Sequence, residues 1–285
     1  MDSKKDRHED TAFGWWTTGR DQAAIDLLHT VCRAIEEGTI PSRIAYVFSS
    51  REPGESPYSD RLMELAEEYG IPVVSRSAVK FLPDLRKNDR EAWRNAYHGE
   101  VLRTVKDFPV DVVVLAGYMW VVSREVCEKL SIINLHPAAP GGPAGTWQEV
   151  IWQLLEHHAE KTGIMMHLVT SELDKGPAVT YCTFPIAGGR WVPLWRSFNA
   201  EMEKSGIEKI KSTAGESEPL FAAIREEGVK RELPLIVQTL RAFAHREISI
   251  RNGRLYDGIG NELYEPCDLS DAIEKTLAGG RKEAF

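Results

Sequence analysis

The stretch VDVVVLAG, residues 110–117, decides the fold class. It is a near-continuous apolar run, rich in valine and closed by a glycine. A strand covered on both faces reads this way, and parallel sheets are built from such strands. Downstream, residues 123–130 suit a short helix leading into a second apolar run, IINLH, residues 132–136. Upstream, residues 91–105 suit a long helix. IPVVS (71–75) suits a short strand, and residues 61–69 a helix ended by Gly70. RIAYVFSS (43–50) is a further strand. Before it, Ile25, Leu28, Val31, Cys32 and Ile35 recur near helical spacing over Gln22 to Glu36, with Gly38 as the stop. AFGWWT (12–17) is the first strand. Strands alternating with helices predict an α/β fold: a doubly wound, mostly parallel sheet of Rossmann-like type. Such sheets bind ligands beyond the carboxyl ends of their strands. The loops after VDVVVLAG and IINLH are therefore where a site is expected.

The second half extends the pattern. Residues 147–158 suit a helix, and GIMMHLVTS (163–171) and PAVTYCTFPI (177–186) suit two strands joined by SELDKG. Residues 188–218 are polar and aromatic without clear period and read as an insertion. Residues 219–246 give two helical stretches split near Gly228. ISIRNGRLYDG (248–258) is a hairpin, because Asn252-Gly253 is a strong two-residue turn signal. The predicted organisation is a disordered lead-in over 1–11 and a core over 12–187. The insertion follows, then helices and a hairpin of the same domain over 219–257, and a tail over 258–285 that adds one helix.

Composition narrows the class. The 285 residues are 42% hydrophobic and 27% charged, with a net charge of −8. That is globular, and it carries no basic stripe of the kind nucleic-acid binders show. The polar N-terminus has no signal-peptide apolar core, and no apolar run approaches the roughly 20 residues that span a bilayer. Cys32, Cys127, Cys182 and Cys267 form no C-x-x-C pair, which argues against a zinc finger or a disulfide framework. Each reads as a small buried apolar residue. A reduced cytoplasmic protein with no membrane, nucleic-acid or metal partner is expected.

The candidate chemistry lies at the end of IINLH. Asn134 and His136 are two apart, so on an extended segment they share a face. Pro137 favours extended geometry in the residue before it. Asp174 follows in the SELDKG loop. An amide and a protonated imidazole can donate to a developing oxyanion. A carboxylate can hold the imidazole cationic and accept a proton.

Three segments, VVLAGYMWVVS, INLHP and GIMMHLVTSELDKGP, resemble the folate-dependent formyltransferases, and are most similar to the glycinamide ribonucleotide transformylases of purine biosynthesis. The resemblance covers roughly residues 12–187 and, more weakly, 219–257. It implies that a primary amine attacks the formyl carbon of the co-substrate 10-formyltetrahydrofolate, with no metal. Asn134 and His136 would donate to the oxyanion, and Asp174 would keep His136 charged and take up the amine's proton. Leu115, Tyr118, Met119, Trp120, Val121, Val122, Val169, Thr170 and Leu173 would form the folate pocket. Gly19, Arg20, Arg90 and His167 would serve a phosphorylated small-molecule amine, and a homodimer is compatible with the resemblance.

The sequence departs from the family on the acceptor side. The first loop, TTGRDQA, keeps Gly19 but has Asp21 where a second glycine is usual and Ala23 where an asparagine is usual. A carboxylate there repels phosphate, and Asp is also a preferred cap for the helix. The loop HPAAPGGPAGTW is about a residue short and lacks bulky side chains. A different amine, such as a sugar nucleotide or modified nucleoside, is therefore the alternative acceptor. Water is another, as in formyltetrahydrofolate deformylases. Those carry a regulatory domain ahead of the catalytic one, and only about 11 residues precede the first strand here.

Overall fold

The computed structural model describes residues 11–172 and 175–280. Leu173, Asp174 and nearly all of the expected lead-in lie outside the described residues. In chain order the elements are β1 (Ala12–Thr17), α1 (Gln22–Glu36), β2 (Arg43–Ser49), α2 (Pro57–Glu68), β3 (Val73–Ser75), α3 (Pro83–Asn88), α4 (Arg90–Val105), β4 (Val112–Leu115), α5 (Arg124–Lys129) and β5 (Ile132–His136). Then come α6 (Trp147–Glu156), β6 (Lys161–Leu168), β7 (Ala178–Pro185), α7 (Val192–Ser205), α8 (Ile207–Thr213) and α9 (Pro219–Ala244). The last are β8 (Ile248–Arg251), β9 (Arg254–Asp257), β10 (Glu262–Leu263), β11 (Cys267–Asp268) and α10 (Ser270–Gly280). Eight strands form one sheet in the order β11-β7-β6-β5-β4-β1-β2-β3. The fold is the expected one: a mostly parallel sheet with flanking helices.

Contacts divide the chain into two compact units. The first takes in residues up to 134, 168–173 and 240–264. Within it β1 pairs in parallel with β2 on one side and β4 on the other, β2 with β3, and β4 with β5. All six residues of β1 are buried, as expected for a strand covered on both faces. Trp16 donates its indole N–H to the Tyr46 hydroxyl at 2.8 Å. That contact explains Gly14, since a Cβ there would lie 2.8 Å from the same hydroxyl oxygen. Asp21 caps α1, its carboxylate accepting from the Ala24 N–H at 3.3 Å. Asn252 and Gly253 both have positive φ (51° and 72°), as a two-residue turn between β8 and β9 requires.

The second unit takes in 135–167, 174–239 and the residues from 265 on. Here β6 and β7 are antiparallel, and β11 adds a short parallel edge to β7. One expectation fails in this half, the split of 219–246. Residues 192–213, which show no clear period, are two helices, α7 and α8. Each buries a single side chain, Phe198 in α7 and Ile210 in α8, so no stripe was there to read. Residues 219–246 are not split near Gly228: α9 runs unbroken through it and through Pro234. One interior glycine costs about 1 kcal/mol, and six buried apolar side chains, Leu220, Phe221, Ile224, Leu235, Ile236 and Leu240, outweigh it. Cys32 and Cys182 are buried, whereas Cys127 and Cys267 are only half-buried.

Candidate active site

β5 carries the first two candidate residues. Asn134 is half-buried and pairs in register with Leu115 of β4. His136, two residues on and so on the same face of the strand, is 3% exposed. Its Nε2 lies 3.0 Å from the carbonyl oxygen of Pro143. A carbonyl only accepts, so Nε2 carries the hydrogen, and Nδ1 is the ring position left to gain or lose a proton. The loop 137–146 turns back to make this contact through Gly141 and Gly145, both with positive φ. It ends in the capping box of Thr146 and Glu149 that opens α6. His167, on β6, is also buried, and its ring stands edge-on to His136 with centroids 6.0 Å apart. Asp174 and Leu173 lie outside the described residues.

The other candidates cluster after β4. Leu115 and Val122 are buried in the core of the first unit. Tyr118 is buried, its hydroxyl 3.0 Å from His98 Nε2. The Nδ1–H of His98 points to the carbonyl of Arg94 at 3.1 Å, so Nε2 must accept and the tyrosine donates. Burial holds the His98 imidazole down to about 4, neutral at ordinary pH, and pushes the Tyr118 hydroxyl well up. The loop is tied to the first loop as well: the Met119 N–H donates to Thr18 Oγ1 at 3.0 Å, and the Thr18 N–H to the Gly117 carbonyl at 3.2 Å. Met119, by contrast, is 54% exposed. Trp120 and Val121 are half-buried, and so are Val169 and Thr170, which follow β6.

Gly19 has φ 57°, and a Cβ there would meet the Ser59 backbone at 2.8 Å. Its carbonyl accepts from Arg51 at 3.1 Å. Arg20 is exposed, 3.7 Å from the Asp21 carboxylate. Arg90, exposed at the start of α4, lines a cavity of about 690 Å³ together with Met119, Trp120 and Val121. The structure thus joins Arg90 to three folate-pocket candidates. Arg86, Lys87 and Arg94 line the same cavity. Sequence reasoning missed them, although Arg86, Arg90 and Arg94 recur every fourth residue in RKNDREAWR.

A family profile described as Formyl transferase matches residues 25–189, more than half of the chain. The protein belongs to the formyl transferase family. It is 27% identical over 195 residues to a phosphoribosylglycinamide formyltransferase of Dictyostelium discoideum, a match covering 65% of this chain and 90% of that one. It is 29% identical over 167 residues to the mitochondrial formyltetrahydrofolate deformylase 1 of Arabidopsis thaliana, covering 56% of this chain and 43% of that one. Among solved structures, the phosphoribosylglycinamide formyltransferase of Coxiella burnetii superposes with a TM-score of 0.59 at 17% identity, over 91% of this chain and 99% of that one. This formyl transferase is therefore a formyl-transferring enzyme on a known fold. No helix among the described residues is long and apolar enough to cross a membrane. No group of three or more His, Cys, Asp or Glu among them is placed to hold a metal ion.

Proposed function

We propose that the enzyme transfers the formyl group of 10-formyltetrahydrofolate to the amine of glycinamide ribonucleotide, a step of purine biosynthesis. The observation that carries this is the strand-end pair Asn134 and His136, with the Nε2 of His136 already committed to the Pro143 carbonyl. Asn134 donates its side-chain N–H to the oxyanion that forms on the formyl group. His136, when protonated, has one free N–H, at Nδ1, and offers that hydrogen. Pro143 fixes the ring so that this edge does not rotate away. Asp174 favours the cationic ring through its charge and takes the proton that the amine must lose. Met119, Trp120 and Val121 border the donor, and Arg90, which pairs with no acid among the described residues, supplies positive charge for an anionic acceptor. The matches to phosphoribosylglycinamide formyltransferases support this acceptor.

Two observations keep other acceptors in view. Asp21 fills the α1 cap with its own carboxylate, so that helix end is not open to a phosphate, which favours a different amine. The deformylase match favours water. The test supplies 10-formyltetrahydrofolate with glycinamide ribonucleotide and reads the formylated product by mass. Formate released at the same rate without amine would replace this proposal with hydrolysis. His136→Ala should lower turnover by about 10²–10³, the usual cost of one oxyanion donor. Unchanged turnover would remove His136 from the chemistry.

A further inference from the structure

Three loops meet at one hydroxyl group. β4, β1 and β2 are neighbours in the sheet, and the loops leaving their carboxyl ends carry Met119, Thr18 and Ser50. Thr18 and Ser50 are both buried. Thr18 Oγ1 accepts the Met119 N–H at 3.0 Å and the Ser50 hydroxyl at 2.9 Å. A hydroxyl oxygen has two acceptor positions, and these bonds fill both. The hydroxyl is held firmly from behind. The Thr18 N–H donates to the Gly117 carbonyl at 3.2 Å, the Ser50 N–H to the Thr17 carbonyl at 2.9 Å, and the Ser50 carbonyl accepts from the Ala78 N–H at 3.0 Å.

The two sides of Thr18 depend on it unequally. Gly19, next along the first loop, has supports of its own: its N–H donates to Thr17 Oγ1 at 3.0 Å, and its carbonyl accepts from Arg51 at 3.1 Å. Met119 has less. Tyr118 and Val122 anchor the loop by burial, but the Met119 side chain between them is exposed, so packing does little to place it. Its backbone is set through the N–H that Thr18 receives. We propose that Thr18 is a positioning residue for the formyl donor, acting through Met119: its hydroxyl fixes the middle of the loop that borders the folate. This rests on the folate reading of that loop. Valine has nearly the same shape as threonine but accepts no hydrogen bond. In its place the Met119 N–H loses its partner, which is costly for a part-buried donor, and the loop shifts to bring that group to water.

The test is calorimetric titration of the full chain with tetrahydrofolate, paired with steady-state kinetics on 10-formyltetrahydrofolate and glycinamide ribonucleotide. Thr18→Val should weaken tetrahydrofolate binding about tenfold, the net worth of one hydrogen bond, and raise the KM for the donor to match. The KM for the amine should stay within about twofold, because Gly19 keeps its own supports. Thr18→Ser restores the hydroxyl and should bring donor affinity back to within about twofold of the unaltered enzyme. Ser50→Ala leaves the Met119 bond in place but frees the threonine hydroxyl to turn, and should weaken tetrahydrofolate by about threefold. It also serves where the valine variant does not fold. Unchanged donor affinity in the valine variant, or in the Ser50 variant where valine prevents folding, overturns the proposal and leaves the folate reading intact. Equal weakening by serine and valine overturns it too, since the hydroxyl would then not be the cause. A rise in the KM for the amine as large as that for the donor also overturns it, because general loosening moves both. Failure of the unaltered enzyme to bind tetrahydrofolate removes the folate reading and this proposal together.

Discussion

His98→Gln should flatten the acid limb of the stability profile. His98 is fully buried, its ring caught between the Arg94 carbonyl and the Tyr118 hydroxyl and stacked 6.5 Å from Trp16. Burial lowers it from 6.5 to about 4 in the folded protein. The unfolded chain therefore binds a proton near pH 6.5 that the folded chain refuses. The stabilisation is complete above pH 6.5 and is lost as pH falls toward 4. With those two values the loss at pH 4.5 is about 2.5 kcal/mol, since each tenfold difference in proton affinity is worth about 1.36 kcal/mol. Glutamine keeps a group able to accept from Tyr118 but has no proton to gain. The assay is urea unfolding followed by tryptophan fluorescence at pH 8 and pH 4.5 on both proteins. The variant is expected to be weaker at pH 8, through imperfect packing, yet to lose about 2.5 kcal/mol less on acidification. Identical pH dependence in the two proteins, or an imidazole that titrates near 6.5 in the native NMR spectrum, would refute the reasoning.

Asp21→Ala removes the side-chain cap of α1 and should cost about 1 kcal/mol, a fall in Tm of roughly 2–4 °C by calorimetry. A larger loss would mean that the carboxylate does more than cap. Arg231→Met strips the buried guanidinium that holds Glu227 and Glu274 and lies over the Phe184 ring. It should cost about 3–5 kcal/mol in denaturant unfolding, because Glu227 is left buried with fewer partners. Burial works to raise the Glu227 carboxyl, but the cations around it, Lys230 foremost, outweigh burial and hold it at about 2. Its contribution is therefore complete above pH 4.5 and lost toward pH 2, and the Arg231 variant should begin that loss at higher pH. Gly163→Ala places a methyl group against the Cys182 carbonyl across the β6–β7 pair and close to Ala139. It should lower Tm by several degrees, and an unchanged Tm would show that the pair can spread to admit it.

Elements whose own residues carry the signal were legible. For α1, the apolar spacing and Gly38 bounded the helix at the residues observed. For β4 and β5, continuous apolar runs placed the strands and, through the two-residue alternation, set Asn134 and His136 on one face. What stayed hidden depends on distant partners. α7 and α8 bury one side chain each. β11 is two residues long and exists only because β7 offers it an edge. The Pro143 carbonyl that fixes His136 is a backbone atom, invisible to residue type. The His98–Tyr118 bond joins residues 20 apart on different elements. The basic lining of the cavity was spelled out every fourth residue, but α3 is only six residues long and interrupts the helix that would have displayed it.

The central place of β1 bears on how the protein is made. Its partner β2 begins at Arg43, but β4 lies 99 residues downstream of it. On a ribosome adding 5–20 residues per second, one edge of β1 waits about 5–20 s for its neighbour. That edge belongs to a strand bearing Phe13, Trp15 and Trp16, and an open apolar edge is a template for wrong pairing. Synthesis slowed between residues 50 and 112 should therefore divert newly made chains toward aggregates while leaving the finished enzyme no less stable.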